Sequence, residues 1–370
     1  MHDDQLREQF TTWAQPLQAA RPPALPVLRR RARRRTAGRA AVSGLAVMGA
    51  VAAIALSGFP WAGHAPAVAA PASGGPRYAV ALEHDAGVQP ASVLDMVTGK
   101  VLGEVATPIA HSDFEWVAAA SDDRTFVLAD QSPALVYRFY RLHLAANGKP
   151  GRLTRLEVPP LHGSQIYGMA LTADASKLAV AWQNNPTGPV SSHISVTTLA
   201  AGATRTWTSA QGSADTVSWA GDSTLAFNWA DIDQPARSGL RLLDTAAAGL
   251  TPLASRLLIP ASTRTATLSS PGNPLITQDG STLFATMASG TKTAIVSFSA
   301  RTGKLQAVLA APSGQSQWYC GILWTDLHGR HLIIQCGTAQ ASIKGNRSTR
   351  IHLHQFISAS PIGYANTFAW

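Results

Sequence analysis

Between residues 77 and 370 the apolar residues fall in short runs, many alternating, that glycine, proline, threonine and aspartate interrupt every few positions. No stretch there sustains the 3.6-residue apolar stripe of an amphipathic helix, so the pattern predicts strands joined by turns. One unit recurs: a short apolar strand, an aspartate-containing turn of small polar residues, and a second apolar strand. It is read at Trp116–Ala129, Tyr167–Trp182, Val217–Trp229, Leu275–Thr286 and Ile322–Ile334. With Asp123, Asp174, Asp222, Asp279 and Asp326 as markers, the intervals are 51, 48, 57 and 47 residues. Spacing of that size predicts a propeller of four-stranded blades. Each aspartate is expected to bond backbone N–H groups ahead of it and hold the bend. Markers set one per blade do not cluster as a calcium site would.

A second hairpin recurs more loosely. Ala91–Val105 and Ala294–Val308 share a strand, a Thr-Gly-Lys turn at Thr98-Gly99-Lys100 or Thr302-Gly303-Lys304, and a further strand. Five full units begin near residues 114, 166, 215, 273 and 320, and a fragment at Arg77–Pro108 lacks its first strand. A closed ring cannot leave that edge unpaired, and the terminal Tyr364–Trp370 is the piece expected to fill it. The expected fold is therefore all-β, a propeller of six four-stranded blades with seven as the rival count. Trp116, Trp182, Trp219, Trp229, Trp318 and Trp324 fall in or beside the hairpins, either as fillers between blades or as an exposed surface.

The pattern changes upstream. Residues 29–39 hold seven arginines, and the nineteen residues Ala40–Gly58 carry no charge. At ~1.5 Å per residue such a run spans ~28 Å, close to the hydrocarbon thickness of a bilayer. Phe59 and Trp61 follow where interfacial aromatics belong. Arginine holds its own side in the cytoplasm, which predicts a cytoplasmic segment at 1–39, a transmembrane helix at 40–59, a flexible linker at 60–76 and an extracytoplasmic propeller at 77–370. The expected location is the cell membrane, single-pass, with the lipid bilayer as a partner. A signal peptide cleaved near Ala70 is the alternative to an uncleaved signal-anchor.

The net charge of +9 divides unevenly along the chain. Residues 1–40 contribute 9 − 3 = +6, and the other 330 residues contribute 21 − 18 = +3. The bulk charge of the propeller thus gives no reason to expect a nucleic-acid partner.

The two cysteines, Cys320 and Cys336, end one short hairpin. If Thr325 pairs with His331, paired indices sum to 656, and so do 320 and 336. Cysteines directly opposite each other on antiparallel strands lie within disulfide reach, and a loop of about 15 residues closed this way stabilises by ~3 kcal/mol. An oxidising exterior would allow the bond, with buried free thiols as the alternative.

Candidate chemistry is sparse. The sequence holds no Gly-x-Ser-x-Gly elbow, His-Glu-x-x-His motif or phosphate-binding glycine loop. His84, Asp85, His111 and His193 are scattered, so no metal and no cofactor are expected. Asp113 and Glu115, in His111-Ser-Asp-Phe-Glu-Trp116, begin a first strand and are candidate binding residues, as are His352 and His354 on one strand face. Leu6, Phe10 and Trp13 form one helical face able to dock on a cytoplasmic protein.

The pieces Ala173-Asp-Ala-Ser-Lys-Leu-Ala179 and Gln278-Asp-Gly-Ser-Thr-Leu283 resemble the turn hairpin of TolB-like and WD40-like propeller repeats. The front end resembles single-pass actinobacterial membrane proteins, which are often partners of extracytoplasmic-function sigma factors. Together these resemblances imply a non-catalytic, membrane-anchored binding or scaffold protein for a protein, peptide or cell-wall glycan. A propeller hydrolase or lactonase is one alternative, and a sigma-factor regulator acting through residues 1–28 is the other.

Overall fold

The computed structural model describes residues 76–82, 90–184, 191–231, 233–247, 249, 251–261, 267–268, 274–289, 292–310, 320–325, 331–336, 339–344, 347–351 and 367–369. The chain folds as β-strands in the order that the hairpin repeat dictates. First come β1 (Tyr78–Leu82), β2 (Ala91–Asp95) and β3 (Val101–Val105). The next sheet holds β4 (Asp113–Ala119), β5 (Thr125–Gln131) and β6 (Val136–His143), with the short β7 (Thr154–Arg155) and β8 (Leu161–His162) both pairing β6. Then follow β9 (Ser164–Leu171), β10 (Lys177–Asn184), β11 (Ser192–Thr198) and β12 (Ala203–Ser209). A fourth group is β13 (Ser213–Ala220), β14 (Thr224–Ala230), β15 (Gly239–Asp244) and β16 (Arg256–Pro260). In the fifth, β17 (Thr267–Leu268) and β18 (Leu275–Ile276) both pair one edge of β19 (Thr282–Ser289), whose other edge pairs β20 (Lys292–Ser299), followed by β21 (Leu305–Ala310). Last are β22 (Cys320–Thr325), β23 (His331–Cys336), β24 (Ala339–Lys344) and β25 (Arg347–Ile351).

The strand expected from Tyr364–Trp370 is β26 (Thr367–Ala369), which pairs β1 through Val80↔Ala369, Ala81↔Phe368 and Leu82↔Thr367. The count of six or seven blades therefore needs restating. Five blades are continuous in sequence, and the remaining sheet, β26-β1-β2-β3, is a composite of distant chain segments. The inner strands border one another in turn: β26 on β4, β4 on β9, β9 on β13, β13 on β18, β18 on β22, and β22 back on β26.

Apolar side chains fill the spaces between sheets. Val80, Leu82 and Val93 meet Phe114, Phe126 and Leu128 between the composite and second blades. Tyr137 and Phe139 meet Ile166, Leu178 and Val180 between the second and third. Trp207, Trp219 and Trp229 fill the gap between the third and fourth. Trp219 also ties the blades together by donating from Nε1 to the carbonyl of Ala170 at 3.2 Å. Of the hairpin tryptophans, Trp219 and Trp229 are fillers, whereas Trp116 and Trp182 are half-buried and Trp318 and Trp324 lie outside the described side chains.

Aspartates hold the turns of three blades, whereas Asp222 makes no side-chain hydrogen bond among the described residues and Asp326 lies outside them. Asp174 Oδ1 accepts from the Ser176 N–H at 3.0 Å and from the Thr172 hydroxyl at 2.8 Å. Asp279 Oδ1 accepts from the Ser281 N–H at 2.9 Å and from Thr277 at 2.6 Å. In the second blade the role belongs to Asp122, which accepts from the Arg124 and Thr125 N–H groups. Its neighbour Asp123, the marker read from the sequence, instead accepts from the Arg77 N–H of the composite blade at 2.6 Å. Other turn bonds also cross between blades: the Ser121 N–H donates to Ala173, and the Gly221 N–H to Gln278.

The transmembrane helix expected at 40–59 is corrected. Among the described residues no helix is long and apolar enough to cross a membrane, and residues 40–59 themselves lie outside them. A span needs about 20 continuous helical residues, whereas the helical segments described are the three-residue turns Pro235–Arg237 and Pro252–Ala254. The signal-anchor, the lipid bilayer as a partner and the single-pass placement outside the cytoplasm rested on that helix and fall with it. Leu6, Phe10 and Trp13, and the regulatory role read into residues 1–28, also lie outside the described residues.

Cys320 is the register partner of Cys336, but the route differs from the expected one. A bulge between Ile322 and Trp324 shifts the ladder, so Thr325 pairs with Leu332 rather than His331. The expected disulfide is corrected as well. No disulfide is found among the described side chains, those of residues 320 and 336 lie outside them, and backbone register alone does not make the bond.

Candidate functional site

A further regularity lies in the inner strands. In β4 the ladder skips Glu115, between Phe114↔Asp130 and Trp116↔Ala129. In β9 it skips Tyr167, between Ile166↔Trp182 and Gly168↔Ala181. In β13 it skips Thr216, between Asp215↔Asn228 and Val217↔Phe227. β22 skips Leu323 in the same way. Each is a one-residue bulge near the start of an inner strand, at the end opposite its aspartate turn. A bulge leaves its extra residue unpaired and re-aims the side chain, which is why bulges gather beside sites.

The backbones are close at this level. A Cβ built on Gly168 would lie 2.8 Å from Thr216 Cα and N and 2.9 Å from Val217 N. β9 and β13 touch there because residue 168 has no side chain. Gly168→Ala is expected to cost about 1–3 kcal/mol by forcing the two strands apart, read as a lowered denaturation midpoint with unchanged slope. Thr216 has φ 47°, a left-handed conformation that a β-branched residue rarely adopts and that costs about 1–3 kcal/mol. Its hydroxyl donates to Asp215 Oδ1 at 3.1 Å.

Glu115 is half-buried and accepts from the Tyr137 hydroxyl through Oε2 at 2.6 Å. Tyr137 is 0 % exposed. Burial first, and the Glu115 carboxylate second, push its hydroxyl well above the ordinary tyrosine range, so it remains a donor that fixes one oxygen of Glu115. Tyr167 donates to Gln165 Oε1 at 3.1 Å. Beside them Trp182 stacks on His193 with ring centroids 3.9 Å apart and 15° between planes. His193 Nδ1 lies 3.0 Å from the Thr208 hydroxyl, and burial pushes the imidazole pKa down, so the ring is neutral near pH 7.

Of the candidates from the sequence, Asp113 and Glu115 stand together at the start of β4, Asp113 exposed and Glu115 on the bulge. His352 and His354 lie outside the described residues. His111 is exposed with φ 63°, and His193 is packed, so the two do not meet as a ligand set. Among the described residues no three His, Cys, Asp or Glu side chains are grouped to hold a metal ion. Sequence reasoning missed Tyr137, Tyr167, Asp215 and Thr216. Tyr137 belongs to a third strand, and bulges carry no compositional signal.

The arrangement offers carboxylates on β4 and β13, half-buried Trp116 and Tyr167, and a tyrosine hydroxyl already committed to Glu115. It accepts hydrogen bonds and positive charge. A cavity of about 680 Å³ lies at the opposite end of the inner strands, lined by Trp207, Leu243, Gln278, Asp279 and Arg301 among others.

No protein-family model matches the sequence, and comparison with curated proteins yields no match. Solved structures do resemble the chain. TolB from Acinetobacter baumannii shares 12% identity at a TM-score of 0.49 over 80% of this chain and 66% of its own, so the chain spans just under two thirds of that protein. An oligogalacturonate lyase from Vibrio parahaemolyticus shares 10% identity at a TM-score of 0.49 over 72% of each chain. Prolyl oligopeptidase B from Galerina marginata shares 11% at a TM-score of 0.48 over 75% of this chain and 40% of its own. At these identities and scores the likeness extends no further than the propeller architecture that the sheets already display.

Proposed function

We propose that the chain is a binding propeller whose ligand is an extended polypeptide segment with basic side chains, received where β4, β9 and β13 begin. The propeller domain is taken as residues 77–370, and the contacting groups as Asp113, Glu115, Tyr167 and Asp215. The observation that carries this reading is the bulge repeated at one level of three adjacent inner strands. Three interrupted ladders and a strained threonine sacrifice stability in one place, and such sacrifices gather at sites. The chemistry there selects the ligand. Carboxylates on neighbouring strands concentrate negative potential, and tyrosine and tryptophan rings attract ammonium and guanidinium groups on their faces. The membrane-anchored scaffold is not part of this reading.

Titration of the protein with lysine- and arginine-rich, neutral and acidic ten-residue peptides, followed by tryptophan fluorescence, tests it. Basic peptides are expected to bind, and more tightly as salt is lowered. Glu115→Gln keeps the acceptor for Tyr137 but removes the charge, and should weaken binding about tenfold, roughly 1.4 kcal/mol. Glu104→Gln, at an exposed position on β3, should leave binding unchanged. Equal affinity across the three peptide classes, or no binding at all, would overturn the reading.

A further inference from the structure

Asp130 lies on β5 opposite Phe114 and Arg138. It is 0 % exposed, and neither carboxylate oxygen has a hydrogen-bond partner of good geometry, the nearby Ser112 hydroxyl being directed to the carbonyl of Ile109. It shares a sheet face with Phe126 and Leu128, two residues apart in turn, which pack against Val80, Leu82 and Val93 of the composite blade. The carboxylate therefore sits in the joint where the composite blade meets the second. An ionised carboxylate buried without hydrogen bonds is strongly disfavoured, and a protonated one far less.

The groups around Asp130 do not cancel its charge. From its own blade come Arg138 and Tyr140 on β6, Arg155 on β7, and Asp113 with Ser112 at the start of β4. The Ser112 hydroxyl donates to the carbonyl of Ile109 at 2.7 Å. Arg138 makes no ion pair with Asp130 among the described residues, and Asp113 adds a like charge. From the composite blade the described apolar residues packed on this face are Tyr78, Val80, Leu82, Ala91, Val93 and Val105.

We propose that this joint is a proton-sensitive seam: it is closed while Asp130 is protonated and loosens when Asp130 ionises. Burial, the largest influence, raises the carboxyl above its ordinary 3.8, against the pull of Ser112 and Arg138. The folded state thus holds the proton more tightly than the unfolded chain does. Stability from this group is fully present below the ordinary carboxylate pKa and is lost as pH rises through the raised one. The seam is the place where such a loss matters, because the composite blade is completed only by the three-residue β26. The inference rests on the seam alone and is independent of what the inner-strand site binds.

Hydrogen–deuterium exchange of the full chain at about pH 4.5 and about pH 8, corrected for intrinsic rates, tests the seam. Backbone amides of β1 and β26 should exchange several-fold faster at the higher pH. Those of β13 and β14 should not change. Asp130→Asn should abolish the difference by holding the seam at its low-pH protection. Arg138→Gln, which removes the nearest compensating charge, should move the loosening to higher pH. Seam protection independent of pH in the natural protein, or a pH response that survives Asp130→Asn, would overturn the proposal. A response that Arg138→Gln moves to lower pH would also overturn it.

Discussion

A chain ending at residue 366 is expected to melt roughly 5–10 °C below the full-length protein and to aggregate on heating. The last described strand, Thr367–Ala369, is only three residues long, yet it is the innermost strand of the composite sheet and borders both neighbouring inner strands. Its removal leaves β1 with an unpaired edge whose residues Tyr78–Leu82 are all buried. The lost ladder bonds are worth about 0.5–1.5 kcal/mol each, and the newly exposed apolar edge adds about 25 cal/mol per Å² uncovered. Together these come to several kcal/mol, with about 2–4 °C lost per kcal/mol in a domain of 150–250 residues. An exposed apolar edge strand is also a template for pairing with a second chain. Scanning calorimetry with light scattering measures both effects. An unchanged melting temperature would mean that the ring does not depend on this closure.

The fold was legible in the sequence wherever a local rule acts on each blade separately. The spacing of Asp174 and Asp279 located hairpins because a turn of small polar residues needs an acceptor for its N–H groups. The missing first strand at Arg77–Pro108 pointed to a donor elsewhere in the chain, because a ring with an open edge is unstable. In the second blade adjacent aspartates divide two tasks, Asp122 holding the turn and Asp123 crossing to Arg77, and spacing alone could not separate them. The inner-strand site was only partly legible. Asp113 and Glu115 could be found because they begin a strand. The bulge that sets Glu115 apart from its neighbours is a single extra residue, decided by how β4 and β5 pair. Tyr137 is bonded to Glu115 across 22 positions of sequence. A one-residue bulge also moved Thr325 off His331, although the cysteines remained opposite each other. What a one-residue change in pairing decides cannot be read from hydrophobic periodicity.

The largest single-residue loss is expected at Trp229. Its side chain is 0 % exposed and packs with Val217, Trp219, Leu225 and Phe227 against Ile194, Val196 and Trp207 of the neighbouring blade. The packing is tight enough that a Cβ on Gly212 would lie 2.8 Å from the Trp229 ring. Trp229→Ala removes the ring and leaves a cavity between two blades that cannot close, because their separation is set by the inner ring. Such substitutions cost about 3–5 kcal/mol. The Nε1 donor of Trp229 has no hydrogen-bond partner, so part of the native burial already carries the penalty of an unsatisfied group. Trp229→Phe removes that penalty along with the extra ring and is expected to cost much less, under about 2 kcal/mol. Trp182→Ala, at a half-buried position, should fall below Trp229→Ala. Urea denaturation of the three variants reads the order from the midpoints, with the slope unchanged if the unfolded state is not altered. If Trp229→Phe proves as damaging as Trp229→Ala, the indole nitrogen is bonded in solution and the blade interface is more polar than its described contacts show.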